Sequence, residues 1–207
     1  MDKGQEEKDE QNQFEEMIQG LIDNKYGCSN DFVNATTVTG LRENIKHADQ
    51  SGVLQAAGIG NQKNLIQNSQ IRGDKIKWID DKSLNQFEQI YLKKVGNFIA
   101  HLNKTCYTSI KSFDSHYANY EPNSFYKRHV DQFKNEKGRK YSLVLFLNQD
   151  WQKADGGMLS LYPEGAPQRD ISPIGGRMVF FKSDEMEHEV HPSSTRDRRS
   201  IAAWLKD

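Results

Sequence analysis

The sequence predicts an α+β, mainly β chain: N-terminal helices packed on an antiparallel β-sandwich or barrel. Three observations predict it. Two stretches before residue 105 repeat their apolar residues at helical spacing; after it, short β-rich runs alternate with turn residues; and no crossover helices separate those runs, which disfavours a parallel sheet. At 207 residues the chain is long enough for one domain with a substantial core.

Residues 1–13 hold five acidic and two basic side chains and nothing apolar after Met1, so a flexible acidic tail is expected there, with 14–207 as a single domain. Phe14, Met17, Ile18, Leu21 and Ile22 mark a first helix, with Gly27 as its stop. A second helix is expected at Thr39–Ala48, and from Gly52 to Gln70 the Gly, Asn and Gln content without any period predicts a long mobile loop. Ile76, Trp78 and Ile79 read as a short strand. Leu84–Leu102 reads as a helix through Phe87, Ile90, Tyr91, Val95, Phe98 and Ile99. From about residue 105 to 207 a β-core is expected, built on SHYANYE, SFYKRHVD, YSLVLFLN, GMLSLYP, RMVFFKS, HEVHP and RSIAAWLK.

Charge and composition exclude several functions. With 28 Lys plus Arg against 29 Asp plus Glu, nothing draws the chain to nucleic acid or to an anionic lipid surface. No run approaches the roughly 20 apolar residues of a membrane span, and MDKGQEEKDEQNQ has no secretory apolar segment, so a cytoplasmic protein is expected. Cys28 and Cys106, the only cysteines, cannot make a disulfide framework and are expected as buried small hydrophobes.

The chemistry begins at His129-Val130-Asp131. On a strand, residues i and i+2 share a face and can grip one ion together. His188, 59 residues on and in another predicted strand, would supply a second imidazole, and two histidines plus one carboxylate suit Fe(II) with open positions for a co-substrate and dioxygen. An HxD alone also matches many solvated surfaces. What adds to it is Arg198, ten residues after His188 at the start of an apolar strand, where a guanidinium can pair with a distal carboxylate while Ser200 shares its face. Iron with a carboxylate anchor points to 2-oxoglutarate. Arg196 competes for the anchor role, and an arginine-rich sheet edge is the bland alternative.

Five ordered segments carry a resemblance: Ile71-Arg72-Gly73-Asp74-Lys75-Ile76 with Trp78-Ile79; Tyr126 to Asp131; Leu147 to Trp151; Gly156-Gly157 with Tyr162-Pro163-Glu164-Gly165; and His188-Glu189-Val190. Together they resemble the 2-oxoglutarate- and Fe(II)-dependent prolyl 4-hydroxylases, specifically the HIF-type branch and its bacterial relatives, from about residue 20 onward. The resemblance implies a double-stranded β-helix, or jelly roll, supported by N-terminal helices. It implies iron on His129, Asp131 and His188, and 2-oxoglutarate on Arg198, with Tyr120 and Tyr126 lining its pocket. Ser200 and Trp204 follow from their register with Arg198. The chain departs from the family at Phe146, where a tyrosine often donates a second hydrogen bond to the co-substrate.

The implied reaction is hydroxylation of a prolyl residue at C4 in a protein substrate, using O2 and releasing succinate and CO2, with ascorbate as a reductant. The bacterial relatives make a translation elongation factor a candidate target. Arg72, Asp74 and Arg139 are candidate substrate contacts, with an Arg139–Asp74 ion pair as one alternative. His191, three residues from His188, is expected to face away from the metal. His47, His101 and His116 are expected to be structural, as are Trp78 and Trp151. Three alternatives remain: a hydroxylase of free proline or another small molecule, a cupin-like metal-binding module without catalysis, and, disfavoured by charge, a nucleic-acid demethylase.

Overall fold

The apolar stripe at Phe14 does form a helix, but a longer one. In the computed structural model, which describes residues 3–58, 70–132 and 138–207, α1 runs Lys3–Asn24. The expected loose tail is thus corrected. Its Glu, Gln and Lys are good helix formers propagating from a buried anchor at Phe14 and Met17. Contacts hold its length too: Glu10 accepts from Asn97, and Gln13 donates to Ser29 and Asp31. Nor does Gly27 end the helix. It lies in β1 (Tyr26–Ser29), where a Cβ would come 2.1 Å from the Met17 carbonyl oxygen, so only glycine lets this strand lie against α1.

The second helix, α2 (Ala35–Gln50), starts four residues before the expected Thr39 because the Asn34 side chain caps it, accepting from the Thr37 N–H. Past it come the two-residue β2 (Gln55–Ala56) and β3 (Lys75–Ile79). Most of the expected mobile loop, 59–69, lies outside the described residues. Asn85 caps α3 (Gln86–Thr105), accepting from the Phe87 and Glu88 N–H groups. Every run expected to be β is a strand: β4 (Ser112–Tyr120), β5 (Tyr126–His129), β6 (Arg139–Phe146), β7 (Leu159–Tyr162), then β9 (Met178–Lys182), β10 (Glu187–Val190) and β11 (Arg198–Lys206). The short polar β8 (Arg169–Ile171) was not expected.

These strands form two antiparallel sheets, in the orders β1-β9-β6-β11-β4-β3-β2 and β5-β10-β7-β8. The larger sheet recruits β1, β2 and β3 from outside the expected β-core. The two-residue period of β4 and β11 sorts their side chains. Tyr117, Ile201, Ala203 and Leu205 join Met17, Leu41, Tyr91 and Phe98 in the core under the helices. Ala118, Tyr120, Phe146, Leu161, Val179 and Val190 pack on the opposite face, toward the smaller sheet. The cysteines are both free, Cys28 half-buried and Cys106 exposed, so the buried reading fails for Cys106.

Candidate metal centre and co-substrate pocket

Between the sheets lies a cavity of about 590 Å³ whose walls include His129, Asp131, His188, Arg198, Tyr120 and Trp204. His129 and His188 face each other as a cross-strand pair of β5 and β10, with ring centroids 4.2 Å apart. Asp131 arrives differently from expectation. β5 stops at His129, and a bend rather than a continued strand carries the carboxylate inward. Its oxygens lie 3.7 Å from His129 Nε2 and 3.7 Å from His188 Nε2, and one ligand atom from each residue falls within 4.8 Å of the others.

Hydrogen bonds orient the rings of this cluster. The Lys127 carbonyl accepts from His129 Nδ1 at 2.7 Å and the Met186 carbonyl from His188 Nδ1 at 3.1 Å. A carbonyl can only accept, so each Nδ1 carries a proton, and Nε2 is the ring nitrogen that each histidine turns toward Asp131. Burial pushes the His188 pKa down to about 4, against the pull of Asp131, so the ring is neutral near pH 7. Burial would raise the pKa of Asp131. The His188 and His129 imidazoles and the Ser142 hydroxyl, which donates at 2.6 Å, outweigh it and hold the group ionised. Two imidazoles and one carboxylate with held orientations fit a divalent transition metal.

Arg198 lies deeper in the cavity, 1% exposed. Its Nε donates to the Gly157 carbonyl at 2.9 Å and its Nη1 to Ser200 Oγ at 3.2 Å, while Nη2 is buried with no partner among the described residues. Gly157 adopts φ 65°, and a Cβ there would meet Trp151 at 2.9 Å, so glycine keeps its carbonyl available to the guanidinium. The Tyr120 and Phe146 rings stand 5.0 and 5.1 Å from the guanidinium carbon. Burial lowers the Arg198 pKa to about 10, which still leaves it charged. An orphaned cationic donor at the inner end of a cavity fits a carboxylate. Arg196 is elsewhere: it stacks on Trp151, donates to the Gln149 and Asp150 carbonyls, and pairs with Asp155 at 3.1 Å.

Nearer the opening, Tyr126 stacks on the His129 ring at 3.5 Å and Arg72 covers Tyr126 at 4.3 Å. Arg72 also takes both oxygens of the buried Asp74, at 2.7 and 2.6 Å. Asp74 is therefore not the partner of Arg139, which donates to the Asp131 carbonyl and lies over Trp204 at 3.7 Å. His191 is outside the metal cluster as expected, its Nε2 against Ser160 Oγ at 2.7 Å. Three residues escaped the sequence reading. Ser142 steadies Asp131; His116 is not merely structural, since it lines the cavity; and Trp78 lines it too, 43% exposed rather than in the core. Strand alternation carries the signal for His116, which is in phase with Tyr120. Nothing local marks Ser142.

A family model described as the 2OG-Fe(II) oxygenase superfamily matches residues 115–206. Human Egl nine homolog 1 is 32% identical over 193 residues, covering 89% of this chain but 45% of that protein. The chain spans about half the length of the Egl nine homolog 1 proteins it matches. Mouse prolyl hydroxylase EGLN3 is 30% identical over 174 residues, covering 80% of this chain and 71% of that one. Among solved structures, a Pseudomonas putida prolyl-4-hydroxylase superposes with a TM-score of 0.84 at 30% identity, over 93% of this chain and 98% of the other. A Trichoplax adhaerens prolyl hydroxylase, solved with a peptide of the hypoxia inducible factor oxygen degradation domain, gives 0.89 at 27% identity over 100% and 94%.

Proposed function

Because the chain belongs to the prolyl hydroxylases of the 2OG-Fe(II) oxygenase superfamily, whose members use Fe(II), 2-oxoglutarate and O2, we propose that it hydroxylates C4 of a prolyl residue in a protein substrate, releasing succinate and CO2. The observation that carries this reading is one cavity holding both an iron-type triad and, at its inner end, a guanidinium whose Nη2 has no partner among the described residues. His129, Asp131 and His188 would hold the iron. Arg198, with Ser200 and Tyr120 beside it, would hold the distal carboxylate of 2-oxoglutarate, and Phe146 offers no second hydrogen bond there. Iron and 2-oxoglutarate together supply the power to oxidise a C–H bond with dioxygen.

The chain's own groups do the positioning. Lys127 and Met186 carbonyls hold the two rings with Nε2 toward the cluster, and Ser142 orients Asp131. Trp204 and Tyr126 wall the cavity against water, while Arg72, Asp74 and Arg139 shape its substrate side. The Arg72–Asp74 pair is buried and bidentate, which suits holding the wall as well as meeting a peptide.

The substrate is proposed to be a protein on the strength of the peptide complex of the Trichoplax relative. A translation elongation factor is the target we propose, the cytoplasm the compartment, and ascorbate the reductant. Among the described residues no helix is long and apolar enough to cross a membrane. The test is incubation with Fe(II), 2-oxoglutarate and proline-containing peptides from an elongation factor and from hypoxia inducible factor, with free proline alongside. The expected result is iron-dependent succinate release matched by one added oxygen on a peptidyl proline. Oxygen appearing only on free proline would overturn the protein-substrate reading, and no succinate under any condition would leave a binding module.

A further inference from the structure

His116 occupies a position for which packing alone gives no reason to choose histidine. It is 2% exposed, in the middle of β4, with Trp78 of β3 and Ala202 of β11 as its Cα neighbours on either side. The Trp78 and Trp204 rings each stand 5.0 Å from its imidazole. Ala202, Trp78, Trp204 and His116 all line the cavity, and Ala202 contributes only a methyl to its wall. Among the described residues the imidazole makes no hydrogen bond, and its Nδ1 is buried without a partner. On the same strand Ser115 is satisfied by Tyr91 and Tyr117 by Glu88, while Asn119 donates to Asp49 and keeps an unpaired Oδ1. Both histidines of the metal cluster have Nδ1 partners as well. Phenylalanine would fill an aromatic row without leaving a polar atom unpaired, a state that destabilises the free protein.

Its place along the strand says what it meets. Tyr120 is the Cα partner of Arg198, and His116 is four residues away on the same face, about 13 Å at strand spacing. A five-carbon diacid held at Arg198 does not reach that far. The imidazole faces whatever fills the outer half of the cavity.

We propose that His116 is a specificity-determining residue that hydrogen-bonds a backbone carbonyl of the proline-containing substrate segment, an inference that rests on the function proposed above. Burial, reinforced by the charge of Arg72, lowers the His116 pKa to about 4, so the ring is neutral and offers one N–H and one lone pair. A neutral donor suits an amide carbonyl. A prolyl residue has no N–H, so the carbonyls beside it are what its backbone presents in hydrogen bonding. A free amino acid would instead present a carboxylate, which the Arg139 guanidinium over Trp204 attracts more strongly.

The experiment compares wild type with His116→Met and His116→Asn as holoenzymes, on a prolyl peptide that wild type turns over. It measures peptide affinity by calorimetry, KM and kcat for the peptide, KM for 2-oxoglutarate, and the thermal midpoint. The methionine variant is expected to weaken peptide Kd and KM about tenfold, with kcat and the 2-oxoglutarate KM unchanged and a midpoint no lower than wild type. Asparagine, which keeps a donor, is expected to recover part of the affinity. A lowered midpoint with unchanged peptide affinity would make His116 structural and overturn this inference alone. Failure of wild type to turn over any prolyl peptide would overturn the function it rests on, and this inference with it.

Discussion

A guanidinium buried without a counter-charge is costly, and Arg198 keeps one donor unpaired at the inner end of a cavity. Arg198→Ala is expected to abolish succinate release, and Arg198→Lys, which loses the planar fork, to raise the 2-oxoglutarate KM at least about tenfold. Arg196→Ala, outside the cavity, is expected to leave that KM within about twofold; steady-state kinetics on the three variants checks the assignment. Ser142 acts one atom further out. Removing the hydroxyl that orients Asp131 is expected to weaken Fe(II) or Mn(II) affinity about 10- to 100-fold, read by competition with a chelator.

The helices that back the larger sheet respond through caps and packing. Asn85→Ala frees two N–H groups at the start of α3 and is expected to cost about 1 kcal/mol. Phe98→Ala empties a fully buried site between Phe14 and Phe180 and is expected to cost about 3–5 kcal/mol, both read by urea denaturation. The same elements show what a sequence discloses. Long apolar stripes, as in α3, and β runs such as Tyr141–Asn148 stand out because their periods repeat several times. Strand β8, three residues long, and β1, four residues carrying Gly27, repeat nothing, and only partners far along the chain make them strands. Residues 3–13 misled because their polarity was weighed without the anchor at Phe14. At the site, the HxD and Arg198 were legible as spaced motifs. His116 was legible only through its phase with Tyr120, and Ser142 and Trp78 were not, because their roles arise from which side chains meet across the cavity.

For the molecule as a whole, acid should loosen the metal-free protein before it reaches the carboxylate range. His116 and His188 both have folded pKa values near 4, against an ordinary value of 6.5, so between those limits the unfolded chain binds more protons. Stability gained by keeping these rings neutral is complete above about pH 6.5 and is lost as pH falls toward about 4. Asp131, with its pKa depressed, adds a further loss below its ordinary value of 3.8. Thermal midpoints of the metal-free protein are expected to decline from pH 7 to pH 4, and His116→Met to flatten that slope.

The facing of His129 and His188 across β5 and β10 has a mechanical result. An ion gripped there ties together two points 59 residues apart, much as a covalent cross-link would, and fastens an edge strand of only four residues to its single neighbour in that sheet. Loading the ion should therefore slow amide exchange along β5 and β10 far more than in β4 or β11, whose long ladders are already closed.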